Sequence, residues 1–141
     1  SKILAGTVVS GVALAMAEQA EQNKVLYISG PAATDAVTGI NGYTFRSGRQ
    51  SIQDVTAATS FVESGASVLV FAQDNAFGQG NVAAVEAVFG AAGAEVDSLL
   101  VPEDATEFTP FSAQKMIGSA RRSDGVVMLT ISGRSLRIIS W

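Results

Sequence analysis

Neither cysteine nor histidine occurs in this chain of 141 residues. The first absence removes disulfides, thiolate metal sites and thiol nucleophiles, without identifying a compartment. The second removes the commonest general base and the commonest transition-metal ligand, so hydrolytic chemistry would have to rest on carboxylates or lysine. Charge is also sparse: 16% of residues are charged and the net charge is -4. The only adjacent cations are Arg121 and Arg122, so no basic face exists for phosphate neutralisation, and nucleic acid is excluded as a partner. No apolar run reaches the 18 or so residues that a bilayer span needs. The opening Ser1-Lys2-Ile3-Leu4-Ala5-Gly6 reads as a strand ending in a turn and not as a signal peptide, so any export signal is expected upstream. Known phosphate and nucleophile motifs are missing too. Gly78-Gln79-Gly80 lacks the third glycine of a dinucleotide fingerprint, no G-x-x-x-x-G-K-[ST] occurs, and Ser10-Gly11 is not a G-x-S-x-G elbow. No cofactor is implied, and the absences together point away from an enzyme.

What is present is 48% hydrophobic residues and a mean hydropathy of +0.31, the composition of a folding chain. Short apolar runs alternate with longer amphipathic stretches, the pattern of βα units around parallel sheets. The expected strands are 3–5, 25–28, 43–46, 67–72, 95–101 and 125–131, the last three reading as consecutive parallel strands. Expected helices cover 11–23 with Ser10 as N-cap, 51–64 closed by Gly65, 80–92 stopped by Gly93, and 108–120. In the first helix, Val12, Met16 and Ala20 form the predicted apolar stripe. Ligands in such folds gather at the carboxyl ends of strands.

Three places at those strand ends could carry function. Ser10 stands at a helix N-terminus, where free N–H groups, a hydroxyl and the positive end of the helix dipole converge on an anion-binding point; the plainer reading is that it caps its own helix. Ala32-Ala33-Thr34 is a small-residue turn that admits a ligand to the backbone and adds a hydroxyl, or else an ordinary cap. Because one helix separates two parallel strands, the Ser10 and Thr34 turns share a sheet edge. Asp74-Asn75-Ala76-Phe77-Gly78 keeps an aromatic ring in a loop, where it could cover an apolar ligand or pack on its own helix. Glu103, Asp104 and Glu107 could gather a cation but read more simply as solvated acids before a helix.

Taken in order, Ile3 to Gly6 with Ser10-Gly11-Val12-Ala13, Tyr27-Ile28-Ser29-Gly30-Pro31-Ala32-Ala33-Thr34, Tyr43 to Arg46, Asp74 to Gly80 and Asp104 to Phe111 resemble the type I periplasmic solute-binding proteins of ABC importers, of the branched-chain amino acid kind. The resemblance covers the chain to about residue 117. It implies an α/β fold with pieces of two Rossmann-like lobes, residues 1–48 in lobe one and 49–132 in lobe two, with a divergent tail over 133–141. It further implies capture of an amino acid or related small carboxylate or amide, a membrane permease as partner, and a periplasmic or extracellular membrane-associated location. On the resemblance, Ser10 with Gly11 holds the ligand carboxylate, Ala32, Ala33 and Thr34 form the turn that holds carboxylate and ammonium, and Phe77 is an aromatic lid. Phe77 lacks the hydroxyl that a tyrosine often supplies there, leaving room for a more apolar or aromatic ligand. The family's first strands, and later segments that include the acid for an amino-acid ammonium, are not in this sequence. Exposed strand edges predict self-association. Two rival readings remain, a ligand-sensing receptor domain of the same fold and a small flavodoxin-like or receiver-like domain with one five-stranded sheet.

Overall fold

The structure, a computed structural model, describes residues 3–107, 126–132 and 135–140, and side chains for the first of these stretches. The helix expected over 108–120 lies outside the described residues. Two sheets form. The first contains β1 (Ile3–Gly6), β2 (Leu26–Ser29) and β3 (Thr44–Arg46), all parallel and in that order. The second contains β4 (Ser67–Gln73), β5 (Glu95–Val101), β6 (Val126–Ser132) and β7 (Ser135–Ser140), in the order β5-β4-β6-β7. Strands β5, β4 and β6 are parallel, as expected, while β7 returns antiparallel along β6. Helices α1 (Ser10–Asn23), α2 (Ser51–Ala57) and α3 (Ala76–Ala91) fill the connections. This is the α/β class of parallel sheets flanked by helices. Its division in two leaves no single five-stranded sheet of the flavodoxin kind among the described residues.

In the first sheet, Leu4, Tyr27 and Thr44 stand side by side in register on one face, and α1 lies over them. Tyr27 is fully buried, packed with Ala17 and Ala20 and flanked by Leu4, Met16 and Tyr43. The buried stripe of α1 is Ser10, Ala13, Ala17 and Ala20, not the predicted Val12, Met16 and Ala20; Val12 is half exposed. Alanine presents only a methyl, so the alanine face approaches the sheet most closely and the helix turns accordingly. The other face of this sheet carries Ala5, Ile28 and Phe45 in one row, with Ile3 beside Leu26. Ile3 and Phe45 are each 57% exposed, and no described element covers them.

Strand β4 is the centre of the second sheet. Val68, Val70 and Ala72 pack with Val55 and Ala58 from the α2 region and with Val82, Val85 and Phe89 of α3, while Leu69 is buried on the opposite face. A strand with both faces covered reads as an unbroken apolar run, as Ser67 to Ala72 does.

Two helices differ from expectation. Helix α2 opens on a reciprocal cap between Gln50 and Gln53 but stops at Ala57 and not at Ser64. The Thr56 hydroxyl bonds Ile52 O at 2.6 Å and the Thr59 hydroxyl bonds Thr56 O at 2.7 Å. Such back-bonding competes with the helical ladder, and the chain tightens into a 3-10 turn over Thr59–Phe61. Helix α3 begins four residues early, at Ala76, because Asn75 caps it: its Oδ1 accepts from the N–H groups of Phe77 at 3.0 Å and Gly78 at 2.9 Å. Asn at this position satisfies donors that would otherwise be orphaned, so the helix starts where the cap stands.

Candidate functional site

Parallel pairing of β1 and β2 puts their carboxyl ends on one edge, held by the bond from Gly30 N–H to Gly6 O at 2.6 Å. Against that edge lies a cleft of about 700 Å³. The β1–α1 turn supplies Val8 to Val12, the turn after β2 supplies Pro31 and Ala33, and the passage from β3 to α2 supplies Arg49. From the second sheet come Gln73, Asn75 and Phe77 around the start of α3, and Glu103 beyond β5. Both sheets therefore contribute walls. The N-termini of α1 and α3 face each other here, since a β-carbon added to Gly11 would lie 4.0 Å from Ala76 Cβ.

Ser10 does not cap α1. It is the first residue of the helix, and the cap position belongs to Val9, which has no side-chain acceptor. The first bond of the ladder runs from Ala13 N–H to Val9 O at 3.0 Å, leaving the Ser10, Gly11 and Val12 amides ahead of it with no capping side chain. Ser10 is 2% exposed, and its Oγ has no hydrogen-bond partner among the described residues. A buried hydroxyl without a partner costs about 1–3 kcal/mol, and here it stands in the wall of a cleft beside uncapped amides.

The other helix end is arranged oppositely. The amides of α3 are taken by Asn75, whose Nδ2 in turn donates to Glu103 Oε1. Phe77 sits in the first turn of this helix, not in a loop as expected, and it packs partly against the core of the second sheet while lining the cleft. Gly78 behind it is obligatory: a β-carbon there would lie 1.9 Å from Gln73 O.

Of the residues singled out from sequence, Ser10, Gly11, Ala33 and Phe77 line the cleft. Ala32 and Thr34 are not part of its lining; both are buried. Their carbonyls accept from the Arg46 guanidinium, Ala32 O at 2.8 Å and Thr34 O more closely still. The same guanidinium reaches Arg49 O at 2.7 Å and Thr38 Oγ1 at 3.0 Å. Arg46 thus ties the turn after β2 to the passage between the sheets. Sequence reasoning missed Arg49, Gln73 and the two valines before Ser10, and it singled out the segment holding Asn75 for Phe77 alone. For the capping role of Asn75 a signal existed, an asparagine two residues past a strand and directly before a helix; for Arg49, on irregular chain, none did. Glu103 is exposed, as a solvated acid should be, and its Oε1 also accepts from Asn75 Nδ2 and so buttresses the α3 cap. Among the described residues no group of acids is arranged to hold a metal ion.

A family model described as periplasmic binding protein matches residues 1–138, nearly the whole chain. The chain belongs to the periplasmic binding protein family. Among solved periplasmic binding proteins and their relatives, an ABC-type branched-chain amino acid transporter from Rhodopseudomonas palustris CGA009 is 32% identical, with a TM-score of 0.69 over 96% of this chain. A solute binding protein of an ABC transporter from Rhodopseudomonas palustris BisB5, in complex with 3,4-dihydroxy benzoic acid, is 27% identical with a TM-score of 0.66 over 92%. A leucine binding protein from Thermotoga maritima MSB8, at 22% identity and a TM-score of 0.70 over 90%, shares the fold. The chain spans 38%, 35% and 37% of those three, little more than a third of their length. No curated protein gives a significant match.

Proposed function

We propose that this chain contributes the ligand-binding cleft of an ABC-importer solute-binding protein, capturing a small carboxylate for delivery to a membrane permease at the outer face of the membrane. Residues 1–48 act as part of lobe one and residues 49–132 as part of lobe two, with the cleft between. The observation that carries this reading is Ser10: a buried, unpartnered hydroxyl beside three uncapped amides at the positive end of a 14-residue helix. A carboxylate placed there meets the hydroxyl and the N–H groups together and gains from the dipole. Ala33 lets the ligand approach the backbone of the neighbouring turn. Phe77 and the valines cover its apolar body, the usual division of labour in a small-molecule site. Because the two walls belong to different lobes, a ligand touching both stabilises the closed arrangement over the open one, and no bond is made or broken. A branched-chain transporter protein and a hydroxybenzoate complex among the relatives support carboxylates as the class.

The test is thermal unfolding of the chain with a panel of leucine, 4-methylpentanoate, benzoate and the uncharged control benzamide. Ligand at 100 times its Kd stabilises by about 2.7 kcal/mol, several degrees of midpoint for a chain of this size. Carboxylates should shift the midpoint, and Ser10→Ala should remove the shift. A midpoint indifferent to every carboxylate would sink the proposal.

A further inference from the structure

We infer that Thr7 is a positioning residue of this cleft: a left-handed backbone turn, latched by the paired hydroxyls of Thr7 and Tyr27, holds the Ser10 hydroxyl and the amides beside it where an anion can meet them. The inference rests on the carboxylate reading of Ser10 and deepens it.

Only three residues, Thr7 to Val9, separate the end of β1 at Gly6 from the start of α1 at Ser10. The chain reverses there through two successive residues with positive φ, Gly6 at 123° and Thr7 at 75°. Glycine adopts such a conformation freely. Threonine does not, because its branched Cβ crowds the neighbouring backbone in the left-handed region. The other non-glycine residue with positive φ among the described residues is Lys24, and it closes the carboxyl end of α1 as a left-handed cap. Thr7 closes no helix, so its conformation has another cause.

A strained residue persists only where its surroundings over-determine it, and such residues gather at ligand clamps. Around Thr7 the surroundings act in two ways. Its Oγ1 is hydrogen-bonded to the Tyr27 hydroxyl, and Tyr27 is itself fixed, fully buried against Ala17 and Ala20 of α1. Its carbonyl stands so close to the next turn that a β-carbon on Gly30 would lie 2.9 Å from Thr7 O. Directly after Thr7 come Val8, Val9, Ser10, Gly11 and Val12, all of them in the cleft wall. The Tyr27 ring therefore links the packing of α1 on its sheet to the placing of the turn that presents Ser10. With the latch gone, Thr7 can relax toward an ordinary φ, which swings Val8 and Val9 and draws the Val9 carbonyl from Ala13 N–H, the first bond of the α1 ladder. The binding-competent turn then becomes one arrangement among several, and apparent affinity falls with its population.

The experiment is isothermal titration of the chain with benzoate and with leucine, in Thr7→Val, Tyr27→Phe, the double variant and Thr7→Ser, at a temperature where circular dichroism shows each to be fully folded. Thr7→Val and Tyr27→Phe should each weaken binding by about tenfold, and the double variant should lose no more than the worse of the two, because all three remove the same bond. Thr7→Ser keeps the hydroxyl and should bind within about threefold of wild type. Hydrogen exchange at the Ala13 amide of the unliganded chain should quicken in Thr7→Val and Tyr27→Phe and not in Thr7→Ser. Unchanged affinity in Thr7→Val and Tyr27→Phe while Ser10→Ala abolishes binding, losses that add in the double variant, or a loss in Thr7→Ser equal to that in Thr7→Val would overturn the inference and leave the carboxylate site standing. Binding unaffected by Ser10→Ala, or absent for both ligands, would overturn both.

Discussion

Gly78 and Gly90 lie in the same helix, and replacing each with alanine should move stability in opposite directions. In a helix interior the exchange normally stabilises by about 0.5–1 kcal/mol, because glycine gives up more backbone freedom on folding. Gly90 stands in the last turn of α3, and a β-carbon there meets nothing within 4 Å, so part of that gain should appear. At Gly78 the added carbon would stand 1.9 Å from Gln73 O and 3.0 Å from Gln73 C. The opposing atoms are backbone at the end of β4, where Gln73 pairs with Val101 of β5, and cannot rotate away. Relief requires the first turn of α3 to move out by about 1 Å or more, against the Asn75 cap and the packing of Phe77; such overpacking costs typically about 1–3 kcal/mol, occasionally more. The two variants should therefore differ by about 1–4 kcal/mol. Urea denaturation followed by circular dichroism reads this as a difference in midpoint at constant m. Gly78→Ala equal to wild type or better would mean that the close approach of α3 to β4 is not real.

Three further substitutions follow from contacts at the cleft. Asn75→Ala should destabilise the chain by about 1 kcal/mol, the usual worth of an N-cap, measured in the same denaturation series. Arg46→Met should cost about 2–4 kcal/mol, since it strands the carbonyls of Ala32, Thr34 and Arg49 that one charged group now satisfies; hydrogen exchange should localise the loss to the turn after β2. Ser10→Ala should leave the unliganded chain as stable as wild type or about 1 kcal/mol more so, because an orphaned buried hydroxyl is removed, while it abolishes carboxylate-induced stabilisation. Loss of stability there without ligand would show that the hydroxyl has a structural partner.

Much of the architecture was readable because it rests on periodicity. Unbroken apolar runs marked Ser67 to Ala72 and Val25 to Ile28 as parallel strands. Where competing local bonds decide, pattern failed. The threonines after Ile52 shortened α2, and the Asn75 cap pulled α3 forward over Phe77. The face of α1 was misjudged because side-chain size, not hydrophobicity, set its approach to the sheet. In the cleft, Ser10 could be singled out since strand-to-helix turns have a fixed chemistry, but whether its hydroxyl was spent on its own helix could not be read from residue type. Arg49 was invisible for a different reason: its place depends on how the passage between sheets is bent, and that is set by Arg46 across three separate segments.

The first sheet carries a helix on one face and bare Ile3 and Phe45 on the other, with β1 and β3 both at its edges. That apolar row is a surface on which the remainder of a longer protein, or a second copy of this chain, would exclude water. Were a second copy to take that place, folding and association would be linked, and an apparent midpoint would rise with protein concentration as well as with ligand. Each stability comparison above thus acquires a second axis, dilution, along which the effect of a small acid and the effect of a neighbour separate.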